Sequence, residues 1–391
     1  GPASAPDWTH NGYQVEAYFG FSVATAGDVN GDGFSDVILG AHLYDTSLYD
    51  VGCVFIFHGS ASGLTEDPVW SKEGVSAWGY LGYSVATAGD VNGDGYADVI
   101  IGAPGAYTSG AGLAGTAYLH FGSSNGIQNT GHLLFEGRAV FGQFGYSVST
   151  AGDLNGDGYA DIIIGSPTAD IFDDYNEKGE AHVYYGGSAM DNSSDWSVLA
   201  SENFSHLGNQ VAIAGDINGD GYGDIIIGQE KFDGVNTDRG RALVWLGKGG
   251  GLSGNWQWDE FADWSFSLGD DFAQFGHSVA TAGDVNGDGY SDILVGTPYY
   301  QVSGDTKGLA AVYYGAAQNL SQTPGWTNGG DQAYSNLGFT VATAGDVDGD
   351  GFADIIAGAP YYDATYADEG AVFFWFGSAN GLNWSFDWRA L

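Results

Sequence analysis

Short apolar segments alternate with glycine-rich polar turns along the whole chain. Between residues 83 and 137, four segments are typical of β-strands: YSVATAGD (83–90), DVIIGA (98–103), GTAYLHFG (115–122) and GHLLFEG (131–137). The first alternates partly between apolar and polar positions, which predicts a strand with two different faces. After Asp98 the second is a continuous apolar run, which predicts a strand covered on both faces. Little of the chain is left for helices.

This pattern repeats six times. A nine-residue motif, Asp-x-Asn/Asp-Gly-Asp-Gly-x-x-Asp, starts at residues 28, 90, 153, 216, 284 and 346. A unit of about 63 residues with four strands is typical of one propeller blade, and blades bury their faces against neighbouring blades. We therefore predict an all-β fold, a six-bladed β-propeller of four-stranded antiparallel blades, as a single domain over 1–391. A fragment of a seven-bladed propeller is the alternative, although a complete seventh unit is lacking.

The two ends of the chain carry extra copies of one strand. PDWTHNG at 6–12 matches PVWSKEG at 68–74, and FDWRAL at 386–391 is similar to both. Trp8, Trp70, Trp326 and Trp388 mark this strand, which we assign to the outer edge of each blade. Either residues 1–12 pair into the last blade as a closure strand, or one copy is surplus. The sequence leaves both alternatives open.

The repeated motif predicts a calcium site in the hairpin loop between the first two strands of each blade. It places side-chain oxygens at positions 1, 3, 5 and 9 and a main-chain carbonyl at position 7, and Ca²⁺ prefers many oxygen ligands. Position 12 is apolar in every copy, which excludes an EF-hand. We expect up to six structural Ca²⁺ ions. The predicted ligands are Asp28, Asn30, Asp32, Phe34, Asp36; Asp90, Asn92, Asp94, Tyr96, Asp98; Asp153, Asn155, Asp157, Tyr159, Asp161; Asp216, Asn218, Asp220, Tyr222, Asp224; Asp284, Asn286, Asp288, Tyr290, Asp292; Asp346, Asp348, Asp350, Phe352, Asp354.

The net charge and the cysteine content indicate which classes of partner and which cellular compartment to expect. The chain has 49 acidic and 9 basic residues and a net charge of −40, which opposes binding to nucleic acid and to anionic membranes. No apolar run of 18 residues occurs, so we expect no direct membrane insertion. Cys53 is the single cysteine, so calcium would take the place of disulfides. Weak calcium sites fill outside cells, so we expect a secreted or cell-surface protein; the chain starts at Gly1 without a signal peptide, as a mature product does.

The motifs also support a family resemblance. FGFSVATAGDVNGDGFSDVILGA and FGYSVSTAGDLNGDGYADIIIGSP resemble the FG-GAP repeat, which occurs in the N-terminal propeller of integrin α subunits and in many secreted bacterial proteins. The resemblance implies a Ca²⁺-stabilised propeller whose metal loops lie on one face and whose opposite face binds partners. In the fourth repeat, Gly-Gln-Glu at 228–230 replaces Gly-Ala-Pro, so we expect an unusual loop there.

Candidate partner residues lie in long aromatic loops between the second and third strands, at 42–52, 166–179, 297–308 and 359–370. We expect a protein or glycan partner on a cell surface, contacted through Tyr299, Tyr300, Tyr361, Tyr362, Trp78 and Tyr80; packing against adjacent blades is the alternative for these side chains. No nucleophile elbow, phosphate loop or zinc motif occurs, so we expect no enzyme. The leading hypothesis is an adhesive binding module. A carbohydrate-active lyase or hydrolase and a structural spacer are the alternatives.

Overall fold

The computed structural model describes residues 6–170, 176–234, 237–254, 256–269, 271–318 and 320–390. The chain divides into two compact units. The first unit comprises Ala3–Asn203 and Ser253–Trp258, and the second comprises Phe204–Leu252 and Asp259–Leu391. Each unit is built from three four-stranded antiparallel blades. The prediction of one domain over 1–391 stays a prediction.

The first unit contains blades 1, 2 and 3. Blade 1 consists of β1 (Ser22–Gly27), β2 (Asp36–Ala41), β3 (Cys53–Phe57) and β4 (Trp70–Glu73). Blade 2 consists of β5 (Ser84–Gly89), β6 (Asp98–Ala103), β7 (Thr116–His120) and β8 (Leu133–Glu136). Blade 3 consists of β9 (Ser147–Gly152), β10 (Asp161–Ser166), β11 (Glu180–Tyr184) and β12 (Trp196–Leu199), and its outer edge pairs in parallel with β16 (Gln257–Trp258).

The second unit contains blades 4, 5 and 6. Blade 4 consists of β13 (Leu207–Gly215), β14 (Asp224–Gln229), β15 (Arg241–Trp245) and β17 (Trp264–Phe266), preceded by a short 3₁₀ helix at Asp259–Phe261. Blade 5 consists of β18 (Ser278–Gly283), β19 (Asp292–Thr297), β22 (Leu309–Tyr313) and β23 (Trp326–Gly329), with the hairpin β20 (Gln301–Val302) and β21 (Asp305–Thr306) in its loop. Blade 6 consists of β24 (Thr340–Gly345), β25 (Asp354–Ala359), β26 (Ala371–Trp375) and β27 (Trp388–Ala390).

The predicted fold class is confirmed: the protein is an all-β propeller of six four-stranded blades, and no α-helix occurs within the residues that the structure describes. After its first residue, an Asp, the second strand of a blade is mainly apolar because it is covered on both faces, and all six residues of β6, β10, β14 and β19 are buried. The described part of the chain contains no helix long and apolar enough to cross a membrane.

Aromatic contacts join neighbouring blades within each unit. An outer-strand ring packs against the third strand of the next blade, so that each blade buries the face of its neighbour. Ring centroids lie 5.2 Å apart for Trp70 and His120, 4.5 Å for Phe135 and Tyr184, 5.2 Å for Trp264 and Tyr313, and 5.2 Å for Trp326 and Trp375. Trp70 and Trp326 thus mark the blade edge, as predicted.

The structure also places the two terminal copies of the outer strand. The C-terminal copy is β27, which pairs with β26 in blade 6. Residues 6–12 of the predicted closure strand form no strand, and 1–5 lie outside the described residues. Trp8 lies 5.0 Å from Phe57, and its indole Nε1 donates to the Thr65 carbonyl at 3.1 Å. Because Trp326 donates in the same way to Asn383, Trp8 contacts blade 1 as an outer-strand tryptophan contacts the next blade.

Candidate metal centres and the opposite end of the blades

The nine-residue loop has the same internal hydrogen bonds in all six blades. The Asp at position 1 accepts from the main-chain N–H groups of positions 4, 5 and 6, at 2.6 to 3.1 Å. The loop can wrap around this carboxylate because glycine stands at positions 4 and 6, where φ is positive (+74° at Gly31 and +89° at Gly33). We call the end of each blade that carries this loop the loop end.

The Asp at position 9 begins the second strand and is completely buried in every blade. In blade 2, one Asp98 oxygen accepts from the Val91 N–H at 3.0 Å and the other from the Gly122 N–H at 2.8 Å. The other five blades repeat both contacts. This carboxylate therefore ties the loop to the turn after the third strand, and each oxygen keeps a lone pair for a further ligand.

The electrostatics of the loops favour a bound cation. Burial first, and then the neighbouring carboxylates at positions 5 and 1, raise the pKa of the position-9 Asp to about 7 in four loops, at Asp98, Asp161, Asp224 and Asp292. Burial raises the pKa of Asp36 and Asp354 in the same direction. The ionised form of the position-9 Asp is unfavourable because the residue is buried and lies beside two more carboxylates. A dication bound among the three groups would make that ionised form favourable.

The oxygen atoms of the sixth loop converge in a way that suits Ca²⁺. In the sixth loop, carboxylate oxygens of Asp346, Asp348 and Asp354 all lie within 4.8 Å of one another. In the other loops Asn replaces the acid at position 3, and its side-chain oxygen accepts from the N–H of position 5, as Asn30 does from Asp32 at 2.8 Å. Among the described residues, no other loop brings three carboxylates this close, and the predicted ligand Asp350 is not part of the cluster in the sixth loop. Oxygen-only ligands in this number suit Ca²⁺ better than Mg²⁺.

The loops of successive blades are joined to one another. The N–H at position 8 of one loop donates to the position-1 carbonyl of the preceding loop: Ala97 to Asp28 at 3.0 Å, Ala160 to Asp90 at 3.1 Å, Ser291 to Asp216 at 3.0 Å and Ala353 to Asp284 at 2.9 Å. The ring at position 7 lies against the position-4 glycine of the preceding loop; a Cβ on Gly93 would come within 2.6 Å of Tyr159. A cation in one loop would therefore also hold its neighbour.

Comparison with known proteins agrees with this geometry. The FG-GAP repeat matches residues 19–57, 81–120, 144–184, 207–245, 275–313 and 337–375, more than half of the chain and once in every blade. The chain belongs to the FG-GAP repeat family. The predicted resemblance is thereby confirmed.

Curated relatives of this FG-GAP chain are much longer than the chain itself. Integrin alpha-PS2 of Drosophila melanogaster is 36% identical over 174 residues, which is 41% of this chain and 12% of that protein. Phosphatidylinositol-glycan-specific phospholipase D of Homo sapiens is 29% identical over 305 residues, 72% of this chain and 35% of that protein. Integrin alpha-5 of Xenopus laevis is 30% identical over 238 residues, 59% of this chain and 21% of that protein. The chain thus spans about a third of these relatives or less.

The solved structure of Saccharomyces cerevisiae Sqt1 covers 97% of this chain and 87% of its own, with a TM-score of 0.48 and 8% identity. A likeness of this size supports no conclusion about function.

We call the other end of each FG-GAP blade, where the first strand begins and the second ends, the opposite end. Tyr361 is exposed there, and Tyr299 is half-buried. Tyr362 is only 8% exposed and accepts a 2.6 Å hydrogen bond from Arg389, and Tyr300 packs against the blade core. Tyr300 and Tyr362 therefore follow the packing alternative. Residues 171–175 of the predicted loop 166–179 lie outside the described residues.

A second set of aromatic residues, of which only Trp78 was predicted, recurs at the opposite end. In the last five of the six repeats, an aromatic side chain stands three positions before the Phe or Leu of the FG or LG dipeptide; it is between 53% and 71% exposed and has φ between +55° and +63°. In the first repeat Glu16 takes this position, with φ of +63°. The set is Trp78, Phe141, Phe204, Phe272 and Tyr334. Bulky residues rarely adopt positive φ. The sequence signal was this fixed spacing; Tyr80, two residues after Trp78, also has positive φ (+56°) and is half-buried.

Blade 4 has an unusual opposite end, as its Gly-Gln-Glu sequence predicts. Glu230 Oε2 lies 2.6 Å from His277 Nδ1, and Glu230 Oε1 lies 3.4 Å from His206 Nδ1. Burial acts to raise the pKa of Glu230, but the hydrogen bonds and charges of the two histidines lower it to about 2. Sequence reasoning missed this cluster because its members come from three separate segments.

The residue before Glu230 is part of a buried polar network. Gln229 donates to Ser205 Oγ at 2.7 Å and to Asp259 at 3.1 Å, and it accepts from Arg241 Nε at 2.5 Å. Arg241 also forms an ion pair with Asp259. Buried polar groups are tolerated when each finds partners, so this network replaces the apolar packing of the other blades.

Proposed function

We propose that this FG-GAP chain is an extracellular binding module, stabilised by calcium at the loop end and contacting a cell-surface protein or glycan through the opposite end. One observation carries the binding proposal: the exposed aromatic residue at positive φ, repeated in five blades of one chain. More than half of each of these side chains is exposed, which leaves the ring available to a partner. Aromatic side chains are the usual anchors of protein and sugar recognition.

The local backbone holds these rings in place. The N–H of Trp78 donates to the Tyr49 carbonyl at 2.8 Å, and that of Phe141 to the Leu113 carbonyl at 2.7 Å. These hydrogen bonds tie Trp78 and Phe141 to the loop between the second and third strands of the preceding blade. Rings fixed in this way lose little freedom on binding, which favours affinity.

Further aromatic side chains extend the surface in the first unit. Phe21 is 49% exposed and lies 5.1 Å from Tyr83, which lies 4.8 Å from Tyr146. Each precedes the first strand of its blade, so this row belongs to the opposite end. A row of neighbouring rings suits the apolar faces of sugar rings or an apolar segment of a protein.

Calcium would be held by the predicted ligands of the six loops, through the side-chain oxygens at positions 1, 3, 5 and 9 and the carbonyl at position 7. Support comes from the converging carboxylates of the sixth loop and from the raised pKa of the position-9 acids. Calcium supplies charge neutralisation here and no chemistry. The proposed extracellular location follows from the calcium concentration that such loops need.

The test is a screen of the purified chain against glycan arrays and cell surfaces in millimolar Ca²⁺ and in EDTA. We expect calcium-dependent binding that Trp78→Ala and Phe141→Ala weaken. Trp384→Ala is the matched control, because Trp384 is 73% exposed but lies in the turn before β27, at the loop end. Binding that all three variants weaken equally, or that none weakens, would contradict the proposed surface.

A second candidate function is that of a carbohydrate-active lyase or hydrolase. The observation in its favour is the Glu230 and His277 pair, because a histidine whose Nδ1 is held by a carboxylate is a suitable general base. If the unaltered chain releases product from the same glycans and His277→Ala does not, the enzymatic function would be favoured over the binding function. If the chain neither binds nor releases product in any condition, the result would favour a structural spacer.

A further inference from the structure

A cavity of about 180 Å³ lies between blades 1 and 2 of the first unit. The outer strand β4 and the segment after it form one wall, and the third strand β7 of blade 2 forms another. Its polar lining includes Lys72, Tyr118 and His132, and Val51, Val75 and Leu81 supply apolar surface. Neither the calcium loops nor the proposed partner surface uses these residues.

The corresponding place in blade 4 is filled. Lys72 stands two residues after the outer-strand Trp70, and the residue two after Trp264 is Phe266. The ring of Phe266 lies 5.3 Å from Tyr313 and 5.9 Å from Phe275, so aromatic packing occupies the space. The cavity in the first unit is thus a consequence of having lysine where blade 4 has phenylalanine.

Lys72 has no carboxylate partner among the residues that the structure describes. Its Nζ lies 5.6 Å from the Tyr118 ring centroid, and the stacked rings of His120 and His132, 4.9 Å apart, are also near it. Burial lowers the pKa of Lys72, and the charge of Lys72, after burial, lowers the pKa of both histidines. Glu73 also lines the cavity, but its charge acts on Tyr44 and Cys53 of blade 1.

An unpaired lysine is unexpected in this chain. Acidic residues outnumber basic ones by 49 to 9, so the composition favours pairing of each basic side chain with a carboxylate. A half-buried ammonium group without a partner is costly, and an anion placed beside it removes that cost. The apolar wall would take the uncharged part of the same molecule.

We propose that this cavity binds a small organic carboxylate with a compact apolar body, its carboxylate against Lys72 Nζ and its body against Val51, Val75 and Leu81. The volume sets the size limit: an apolar cavity of about 150 Å³ holds a benzene ring. An aromatic or cyclic monocarboxylic acid matches this volume.

Benzoate is the probe, titrated into the full chain in millimolar Ca²⁺ and followed by NMR. We expect saturable binding in the millimolar range, with shifts in the Tyr118 and His132 signals. Lys72→Met keeps most of the side-chain volume and removes the charge, so it should weaken binding at least about tenfold. Lys248→Met, at an exposed lysine of blade 4, should leave binding unchanged.

Two further measurements decide between charge and shape. Lys72→Phe copies the arrangement of blade 4, so it should abolish benzoate binding while the melting temperature stays level or rises. Benzyl alcohol, of similar size but neutral, should bind at least about tenfold more weakly than benzoate. Equal binding of both probes, equal binding by Lys72→Met, or no saturable benzoate binding by the unaltered chain would overturn the proposal.

Discussion

The two ends of the blades differ in how far they repeat. At the loop end, the same carboxylates accept the same main-chain hydrogen bonds in all six blades, and the loops are joined to each other within each unit. At the opposite end, Pro104 of blade 2 corresponds to Glu230 of blade 4. The main-chain hydrogen bonds around the two residues are equivalent, but the Glu230 side chain contacts two histidines, which a proline cannot do. The loop end thus serves the fold that all blades share, whereas the opposite end can vary without unfolding the blade.

The largest effect should come from removing calcium, which acts on the loop end alone. At free Ca²⁺ of 100 times the dissociation constant, each site contributes roughly 2.7 kcal/mol to the free energy of unfolding. Because a typical domain has only about 5 to 15 kcal/mol in total, the melting temperature should fall by tens of degrees in EDTA. Calorimetry with and without Ca²⁺ measures this; Mg²⁺ should restore little of the loss. An unchanged melting temperature would refute a structural role for calcium.

The next effect is a pH dependence that calcium reverses. In EDTA, the folded-state pKa of about 7 at Asp98, Asp161, Asp224 and Asp292 exceeds the ordinary value of 3.8. Stability from these groups is then complete below pH 3.8 and is lost as the pH rises to about 7. The calcium-free protein should therefore melt at a lower temperature at pH 7.5 than at pH 5.5. With Ca²⁺ the order should invert, because protonation competes with the ion.

A smaller effect should follow from breaking the contact between neighbouring loops. Gly93→Ala adds a Cβ that meets Tyr159 at 2.6 Å, at a residue with φ of +74°. We expect a loss of about 2 to 4 kcal/mol from backbone strain and overpacking together. Gly95→Ala is the matched control, because φ is +89° there but nothing lies within 4 Å of the added atom. Denaturant unfolding of both variants compares them; equal losses would mean that the contact with Tyr159 contributes nothing.

The smallest effect should come from the opposite end. Glu230→Gln removes the charge that holds His206 and His277, and we expect a loss of about 1 to 2 kcal/mol at neutral pH. Because the pKa of Glu230 is about 2 in the folded chain and ordinarily 4.5, this contribution is present above pH 4.5 and is lost between pH 4.5 and 2. Urea unfolding should show that the free energy of unfolding of Glu230→Gln differs less from that of the unaltered chain at pH 3 than at pH 7. A difference independent of pH would point to packing instead of charge.

The sequence predicted the repeated strands, and it missed contacts between residues that are far apart in the sequence. The strands of blade 2 were predicted to within two residues because their apolar pattern and turns appear six times. The burial of Tyr362 under Arg389 was not predicted, because it depends on a side chain of β27 that lies far away in the sequence. The Lys72 cavity was missed for the same reason: a lysine in an outer strand appears solvent-exposed until the adjacent blade is placed beside it.

Trp8 has a consequence for how such arrays can be joined. It makes the ring contact and the carbonyl hydrogen bond of an outer-strand tryptophan, yet it belongs to no strand. The contact of one indole ring with Phe57 and Thr65 of the next blade therefore forms without strand pairing. For protein engineering, the boundary before the outer strand is therefore a suitable fusion site for repeats from different parent proteins. The tryptophan supplies the packing contact between the fused repeats.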